Sequence, residues 1–472
     1  MEYKKGVNGM SINSYDNYQL SWRPDRNLLK RPLYRSLIQL LEEDILSGKL
    51  QRNTRLPSQR ELADFLDINF TTVGQAYKYG VEKGLLYTNI GSGTYISQNA
   101  FQSITISNND VGTNIIDLGL VSSFEECNDL VIPYIQKVSQ QTSIYSLLNY
   151  QDPMGSLSQR TVASDWLNTQ GVVCSPDLVA LTSGVQNGMA ITLTSIFSQG
   201  NRIAVDRYTY ANFIELAKLL GIEIVLIDYD DEGMLAEQLE IECVKKKIHG
   251  AFLMPSCNNP VGFQMSEVRK KELAEVFKKH DILIIEDDIH AFLTTPFLPK
   301  EALPFQALLP DQTIYLAGMT KYICSGLRIA YLVYPEKLRN KIQKSIFNIN
   351  VKSSGFDAEV ITQILHSPTA EEILNKKYQL TKQANQLFLE LFPEISGGHP
   401  APFYRCIPVS TQFSQQEIEH YFLEEGVRVY HSNRFTIQKQ EDPFIRVALS
   451  SNNLELLMQG LEKVHKRVKR FQ

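Results

Sequence analysis

The sequence has few cysteines, and none is arranged for a metal or a disulfide framework. Its 472 residues contain six, with no CxxC pair and no histidine at the spacing of metal ligands. The spacing therefore predicts neither a zinc site nor structural disulfides, and we expect free thiols in a reducing cytosol. These thiols belong to Cys127, Cys174, Cys243, Cys257, Cys324 and Cys406.

Long apolar runs are also missing. The first twenty residues, MEYKKGVNGMSINSYDNYQL, lack the apolar segment of a signal peptide. No stretch of the chain reaches the roughly 18 apolar residues that a membrane span requires. We therefore expect a soluble, cytoplasmic protein without a membrane partner.

Most of the chain lacks a net positive charge. Residues 1–100 contain 13 Lys or Arg against 10 Asp or Glu, net +3, which leaves −8 for the rest of a chain whose formal net charge is −5. The molecule as a whole is not a basic nucleic-acid binder by composition. The uneven distribution nevertheless agrees with DNA contact at the N-terminal end.

Residues 31–97 show the order of a small DNA-binding domain. After an irregular leader, residues 1–30, apolar residues recur at helical spacing from Leu33 to Ile45. Ser58 is placed to cap a second helix, SQRELADFL, and a third, FTTVGQAYKYGVEKGL, follows the turn DIN. Then LLYTNIGSGTYIS alternates on either side of Gly91, Ser92 and Gly93, which is typical of a hairpin. This order predicts a mostly α, winged helix-turn-helix domain whose third helix enters the major groove.

The rest of the chain has the pattern of an α/β domain. Residues 98–114 are rich in Asn, Ser, Thr and Gln and are predicted to form a linker. In residues 115–472, apolar strands such as RIAVD and ILIIED alternate with amphipathic helices, which indicates a mostly parallel sheet covered on both faces. We predict a large subdomain over about residues 115–335 and a smaller α/β subdomain over about residues 336–472.

Several predicted strands end in residues that can carry chemistry. Ligands of such a sheet bind beyond the carboxyl ends of its strands. Ser183, Gly184 and Val185 precede a helix whose first amides suit a phosphate, although any helix start offers such amides. Thr320 and Lys321 follow the strand TIYLAG, and burial there would depress the pKa of the lysine, as Schiff-base chemistry requires. An isolated lysine at a strand edge is more often simply solvated.

The combination of motifs resembles fold type I pyridoxal-phosphate enzymes of the aminotransferase class. The series SGVQ, NNPVG, EDD, and TK followed by GLR has the order and approximate spacing of that family. The resemblance implies that Lys321 forms the Schiff base with pyridoxal 5'-phosphate and that Asp287 pairs with the pyridine nitrogen. It also implies that Asn259 donates to the ring hydroxyl and that Arg328 holds the phosphate.

Further positions extend this resemblance. Tyr210 stands where an aromatic residue stacks on the cofactor ring, although Tyr208 is close enough to be the match. Tyr150 resembles the tyrosine that reaches the phosphate of a neighbouring subunit, which implies a homodimer. Arg446, in FIRVALS, resembles the arginine that pairs with the carboxylate of an amino-acid ligand; the alternative is a surface salt bridge.

Two positions depart from the family pattern. His290 stands where many aminotransferases have a tyrosine that bonds the cofactor hydroxyl, and Gly318 stands where a hydroxyl side chain commonly touches the phosphate. His290 can donate a hydrogen bond, but we expect it to titrate near neutrality. These changes leave cofactor binding in place and weaken the case for efficient transamination.

The N-terminal region resembles the GntR family of winged helices. LPSQRELADFLDINFTTVGQAYKYGVEKGLLY carries the motif and GSGTYIS the wing. The resemblance implies DNA contacts by Arg60, Thr71, Thr72 and Gln75, with helix capping as the alternative for the two threonines. Phe70 replaces a common arginine; it is expected either to pack on a thymine methyl or to be buried.

The fusion of the two modules resembles the MocR-type regulators. It implies a regulator of amino-acid, amine or vitamin B6 genes that senses a small amine or amino acid as an external aldimine at Lys321 and binds a double-stranded DNA operator in the nucleoid. Members are described as head-to-tail dimers with exchanged DNA-binding domains. One alternative is an active aminotransferase with a DNA-binding appendage; a weaker one is a DNA-binding module with a degenerate structural domain.

Overall fold

The computed structural model of the chain divides into two units, residues 1–103 and 104–472. The predicted linker, residues 98–114, lies outside the described residues, as do residues 1–19 of the predicted leader and Gly91 and Ser92 of the predicted hairpin. The structure describes residues 20–46, 49–51, 54–82, 85–89, 93–96, 115–294, 303–395, 397–399, 401–438, 441–451 and 453–472.

The first unit contains three helices and a two-stranded antiparallel hairpin. Its second helix begins with a capping box, because the Ser58 hydroxyl accepts from the Glu61 amide at 3.2 Å and the Glu61 carboxylate accepts from the Ser58 amide at 2.8 Å. This confirms the sequence-based expectation of a winged helix-turn-helix fold. The elements are α1 (Leu33–Leu46), α2 (Gln59–Leu66), α3 (Phe70–Glu82), β1 (Leu86–Asn89) and β2 (Gly93–Ile96).

The predicted leader contributes to the core of this unit. Trp22 is 3% exposed and packs in the same apolar cluster as Leu37 and Leu62. Its indole N–H donates to an Asp44 carboxylate oxygen at 3.0 Å. The predicted boundary at residue 31 is therefore wrong for the described residues 20–30: the apolar period of α1 does not reveal that an upstream tryptophan packs against it.

The second unit is built around a seven-stranded sheet with the order β4-β12-β11-β10-β9-β5-β6. Only β12 runs antiparallel to its neighbours within this sheet, so the carboxyl ends of β4, β9, β10 and β11 meet at one edge. This confirms the predicted, mostly parallel sheet. The sheet strands are β4 (Val179–Thr182), β5 (Arg202–Asp206), β6 (Glu223–Ile227), β9 (Gly250–Leu253), β10 (Leu283–Asp287), β11 (Thr313–Gly318) and β12 (Ala330–Val333).

Helices cover both faces of this sheet and continue into the C-terminal part. They are α4 (Ile132–Ser139), α5 (Ile144–Leu147), α6 (Leu157–Thr169), α7 (Val185–Ile196), α8 (Ala211–Leu219), α9 (Ala236–Lys245), α10 (Glu267–Lys279), α11 (Ala291–Thr294), α12 (Phe305–Leu308), α13 (Met319–Tyr322), α14 (Arg339–Ile349), α15 (Gly355–Leu365), α16 (Thr369–Leu391), α17 (Gln415–Glu424) and α18 (Leu454–Val468). The short strands outside the large sheet are β3 (Ile116–Asp117), β7 (Tyr229–Asp230), β8 (Gly233–Met234), β13 (Tyr404–Pro408), β14 (Val427–Arg428), β15 (Tyr430–His431) and β16 (Phe444–Ala448).

The two subdomains do not divide at residue 335 as predicted. Leu338, Ile342 and Ile346 pack in the core of the large sheet, because α14 lies against α7. Conversely, β3 pairs with β14, and Leu118 joins the core of the small subdomain. The first strand after the predicted linker therefore belongs to the small subdomain, which a split by sequence position cannot reveal.

The described residues provide neither a membrane-spanning helix nor a cluster of metal ligands. No helix among them is both long and apolar enough to cross a bilayer. They also contain no group of three or more His, Cys, Asp or Glu side chains arranged to hold a metal ion.

We expect Trp22→Ala to destabilise the first unit by about 3 kcal/mol, because it removes a large buried ring. Hydrogen exchange of the full-length chain should then speed up in α1 and α2 and stay unchanged in β10 and β11. Trp22→Phe, which keeps a ring but loses the bond to Asp44, serves as the milder control. Unchanged exchange in Trp22→Ala would mean that this residue does not support the unit.

Candidate functional site

A cavity opens at the carboxyl edge of the large sheet, and most of the predicted cofactor residues line it. Gln186, from the motif SGVQ, also lines it, whereas sequence reasoning missed other parts of the lining, notably Met189, Met254 and Ser325. Met254 directly follows β9, so its place at a strand end was a signal that could have identified it. The predicted residues that line the cavity are Val185, Tyr210, Asn259, Asp287, His290, Thr320, Lys321, Arg328 and Arg446.

Lys321 lies on α13, the single helical turn that follows β11. Its ammonium group donates to the backbone carbonyls of Val121 and Ser122. Burial, and then the charge of Lys377, lowers the pKa of Lys321 to about 7. A large fraction of this amine is therefore neutral and nucleophilic near neutral pH.

An aromatic stack supports the turn that carries Lys321. The Tyr322 ring lies between Trp166 and Phe292, with ring centroids 5.6 and 5.3 Å away and nearly parallel planes. All three rings pack in or against one core of the large subdomain. The backbone beside Lys321 is thus anchored by packing, which limits where the amine can point.

Asp287 ends β10 and offers an unmatched acceptor. The side chain is 3% exposed, and its Oδ1 has no hydrogen-bond partner among the described residues. Burial, and then the charge of Asp288, raises the pKa of Asp287 to about 7. Because an unpaired buried carboxyl group is costly, this position fits a ligand that brings a cationic N–H donor, as a pyridinium ring does.

Arg328 and Gly184 form a close contact next to the start of α7. Both have left-handed backbones, with φ of 51° and 85°. A Cβ atom on Gly184 would lie 2.7 Å from an Arg328 guanidinium nitrogen, so a larger residue there would displace the end of the arginine side chain. The guanidinium group and the first-turn amides of α7 together fit a phosphate.

The predicted role of Ser183 and Gly184 as free amide donors differs from their observed contacts. The Ser183 amide donates to Asn187 Oδ1 at 3.0 Å, and the Gly184 amide donates to the Thr182 carbonyl at 2.8 Å. The Ser183 hydroxyl accepts from Asn350 at 2.7 Å. The first amides of α7 itself, from Val185 to Asn187, precede the first helical hydrogen bond, which the Gly188 amide makes, and are the better donors.

Arg446 is a buried cation on β16, which excludes a surface salt bridge. It is 1% exposed, it donates to Asn259 Oδ1 at 2.8 Å and to the Gly119 carbonyl, and its Nε has no partner among the described residues. The Phe435 ring centroid lies 4.8 Å from the guanidinium carbon. Because the side-chain oxygen of Asn259 already accepts from Arg446, the side-chain N–H groups of Asn259 are the ones that can donate to a ligand.

The two departures from the family pattern have physical explanations. Burial lowers the pKa of His290 to about 3, so the expected titration near neutrality is wrong and the imidazole is neutral. Its Nδ1 has no partner among the described residues. A Cβ atom on Gly318 would lie 2.8 Å from both Ile289 and Val185, so a hydroxyl side chain has no room there.

The three tyrosines of the sequence analysis have different surroundings. Tyr210 lines the cavity, whereas Tyr208 lies outside it and donates to the Asp442 carbonyl at 3.1 Å. The position of Tyr210 therefore favours it over Tyr208 as the residue that stacks on a ligand ring. Tyr150 is 89% exposed and takes no part in the cavity of its own chain.

The predicted DNA-contacting residues lie on α2 and α3. Arg60, Thr71 and Gln75 are exposed, and Thr72 is half-buried. The Asn69 side chain accepts from the Thr71 amide and hydroxyl, at 3.0 and 2.9 Å, so Asn69 rather than either threonine caps α3. Phe70 is 47% exposed, which excludes the expectation that it is buried and leaves its ring available to an apolar partner.

Comparisons with known proteins match both parts of the chain. Residues 120–463 match the family described as aminotransferase class I and II, and residues 33–96 match the bacterial regulatory proteins of the gntR family. The relative described as "uncharacterized HTH-type transcriptional regulator YdeF", from Bacillus subtilis, is 31% identical over 96% of this chain and 98% of its own length.

More distant relatives and solved structures agree. The probable rhizopine catabolism regulatory protein MocR of Rhizobium meliloti is 23% identical over 67% of this chain and 68% of its own. An archaeal alanine:glyoxylate aminotransferase superposes with a TM-score of 0.71 at 19% identity, over 76% of this chain and 92% of its own. The kynurenine aminotransferase of Pyrococcus horikoshii superposes with a TM-score of 0.69 at 19% identity, over 76% of this chain and 91% of its own. The structural likeness shows the fold.

We expect Gly318→Ser to destabilise the second unit by about 1 to 3 kcal/mol, because its Cβ must displace Ile289 or Val185. Hydrogen exchange of β11 in a urea series measures the loss. Gly326→Ser is the matched control, since the nearest side-chain atom to its Cβ would be 3.9 Å away. Equal stability of Gly318→Ser and wild type would contradict this steric account.

Proposed function

Since the chain belongs to the aminotransferase class I and II family and carries a gntR-family DNA-binding domain, we propose that a small amine or amino acid controls its binding to DNA. The protein is a transcription regulator with an aminotransferase-like domain for pyridoxal phosphate. The cytoplasmic pool of amino compounds is the proposed source of this effector. The regulated genes would serve the metabolism of amino acids, amines or vitamin B6.

One observation carries this proposal: a single cavity gathers Lys321, Asp287, Arg328 and Arg446 in the same chain as a DNA-reading helix. When bound, pyridoxal phosphate supplies an electrophilic carbon that reacts with primary amines and an electron-withdrawing ring. In this proposal Arg328 binds its phosphate, and Asp287 holds the proton of the ring nitrogen. Lys321 supplies the neutral amine that attaches the cofactor.

The effector would be recognised by Arg446 when it has a carboxylate. The guanidinium group is preorganised by Asn259 and by the Gly119 carbonyl, and it has a free Nε–H. A carboxylate that accepts two parallel bonds from this fork would take the place of the Gly119 carbonyl. A simple amine lacks that group and would bind without help from Arg446.

We propose that the signal passes through residues 119–122, which we call the entry segment. Its carbonyls accept from both cations of the cavity, Gly119 from Arg446 and Val121 and Ser122 from Lys321. The segment directly follows β3, the first strand after the predicted linker. Ligands that engage the two cations would release the entry segment and so move the end of the linker.

The protein is proposed to act as a homodimer, in the head-to-tail form with exchanged DNA-binding domains. Tyr145, Leu148 and Tyr150 are 80%, 72% and 89% exposed and form an apolar stretch at and just after α5. Such a stretch favours burial against another protein surface. A second copy would bring Tyr150 to the phosphate of its neighbour, and a two-fold axis would suit two DNA half-sites.

A second candidate function is catalytic transamination. It is favoured by the full set of Lys321, Asp287 and Arg446 in one cavity. Gly318 and the neutral His290 count against efficient turnover, because they replace a hydroxyl contact to the phosphate and a phenol contact to the ring. Sustained conversion of an amino donor and a keto acid would favour the catalytic candidate.

We expect the purified protein with pyridoxal phosphate to show a visible absorption band that borohydride removes by fixing the cofactor on Lys321. Lys321→Ala should lack this band. One member of a panel of amines and amino acids should shift the band and change the affinity for DNA fragments selected from a random pool, at fixed salt. A chain that never forms the band, or whose DNA affinity ignores every amine, would contradict the proposal.

The variant Arg446→Gln separates the two effector classes. If the effector is an amino acid, its half-effective concentration should rise about 10- to 100-fold, because a charge-assisted fork is lost. If the effector is a simple amine, its half-effective concentration should stay within a few-fold of the wild-type value.

We expect Leu148→Glu to dissociate the dimer, because a carboxylate would have to be buried in the interface. Sedimentation velocity measures this as a shift from dimer to monomer. Leu219→Glu is the matched control, since Leu219 is also exposed, at 81%, but lies elsewhere, at the end of α8. A monomeric wild type, or equal effects of both variants, would count against this surface.

A further inference from the structure

Lys377 interrupts the buried face of α16. The positions that face the core recur at helical spacing, and Lys377, at 0% exposure, stands among them. A fully buried lysine is costly, and none of the ion pairs between described residues involves it. The buried face consists of Ala370, Ile373, Lys377, Thr381, Ala384, Asn385 and Phe388.

The contacts of Lys377 are to the turn that carries Lys321. Its ammonium group donates to the carbonyl of Lys321 at 2.9 Å and to the carbonyl of Ile323 at 3.0 Å. These carbonyls lie at the end of α13, where a helix leaves its last acceptors unsatisfied and favours a cation. The Tyr322 hydroxyl also donates to the Ala370 carbonyl, at 3.0 Å, so α16 holds this turn at two points.

The groups around Lys377 and Lys321 carry unequal amounts of positive and negative charge. Lys377 faces the thiols of Cys127 and Cys324 and the carboxylate of Glu125. Burial raises the pKa of the Cys127 thiol, so that group is neutral near neutral pH.

Lys321 in turn faces Lys377, Arg446 and Arg328, against the carboxylate of Glu125 and the carboxyl group of Asp287 in the same cavity. After burial, Lys377 is the strongest influence that lowers the pKa of Lys321. Positive charge therefore predominates around the amine.

We propose that Lys377 is a positioning residue for the cofactor lysine: it fixes the helical turn that presents Lys321 and keeps a positive charge near its amine. An apolar residue would fill the same space but would leave both carbonyls without a donor. A neutral polar residue would serve the carbonyls but would supply no charge. The inference rests on the proposed role of Lys321 as the residue that attaches pyridoxal phosphate.

The test measures the Lys321 amine directly. Competitive acetylation of the full-length chain, before pyridoxal phosphate is added, reports the neutral fraction of Lys321 across a pH series when its peptide is quantified by mass spectrometry. The wild-type midpoint is expected near pH 7, from the pKa of about 7. Lys377→Met and Lys377→Gln should each raise this midpoint by about one pH unit, since both remove a like charge.

The two variants and a control separate charge from geometry. Lys377→Gln keeps a donor for one carbonyl, so hydrogen exchange of α13 should rise less than in Lys377→Met. Lys376→Gln is the control, because Lys376 is the preceding residue of α16 but its side chain is 42% exposed and 3.7 Å from Glu126. It should leave the midpoint unchanged.

The proposal is overturned if either folded variant keeps the wild-type midpoint. It is also overturned if neither variant folds, because Lys377 would then be a requirement of the fold rather than a positioning residue. The measurement uses neither amine effector nor DNA. A failure of this inference about Lys377 can therefore be distinguished from a failure of the proposed regulation.

Discussion

The site depends on the burial of one amine among other cations. Lys321 is half-buried at the end of a strand, and Arg328, Arg446 and Lys377 bring positive charge close to its amine. Burial and like charge both favour the neutral amine, while the same cations make the cavity attractive to anions. In the proposed function, a phosphate would satisfy Arg328, a carboxylate would satisfy Arg446, and a carbonyl carbon would react with the amine. The charge pattern favours ligands of that chemistry.

The sheet topology makes this arrangement possible. The carboxyl ends of β4, β10 and β11 meet at one edge, which brings the start of α7, Asp287 and Lys321 together although they are far apart in sequence. The small subdomain adds Arg446 from β16, and carbonyls of the entry segment accept from both Arg446 and Lys321. The cavity therefore lies where the two subdomains and the entry segment meet.

Local signals predicted much of this structure from the sequence. The Ser58 capping box and the strand before Asp287 depend on a few neighbouring residues, so their patterns can be read directly.

Tertiary contacts hid the rest. Trp22 packs on a helix that begins after it, and the subdomain boundary failed because Leu118 and Leu338 pack in cores that their sequence positions do not indicate. His290 was misjudged because burial, which sets its pKa, depends on the folded surroundings. The sequence marks Lys377 as a lysine on an apolar helical face. It does not show the reason, which is the contact of Lys377 with the carbonyls of Lys321 and Ile323.

The stack of Trp166 on Tyr322 has an optical consequence. The chain contains only two tryptophans, Trp22 and Trp166, one in each unit. Trp166 stacks on Tyr322, the residue next to Lys321, so a chromophore attached to Lys321 would lie within range of energy transfer from the Trp166 indole. The emission of this single residue would thus report the chemical state of the cavity, while Trp22 reports on the DNA-binding unit, and the two signals can be separated by replacing either ring with phenylalanine.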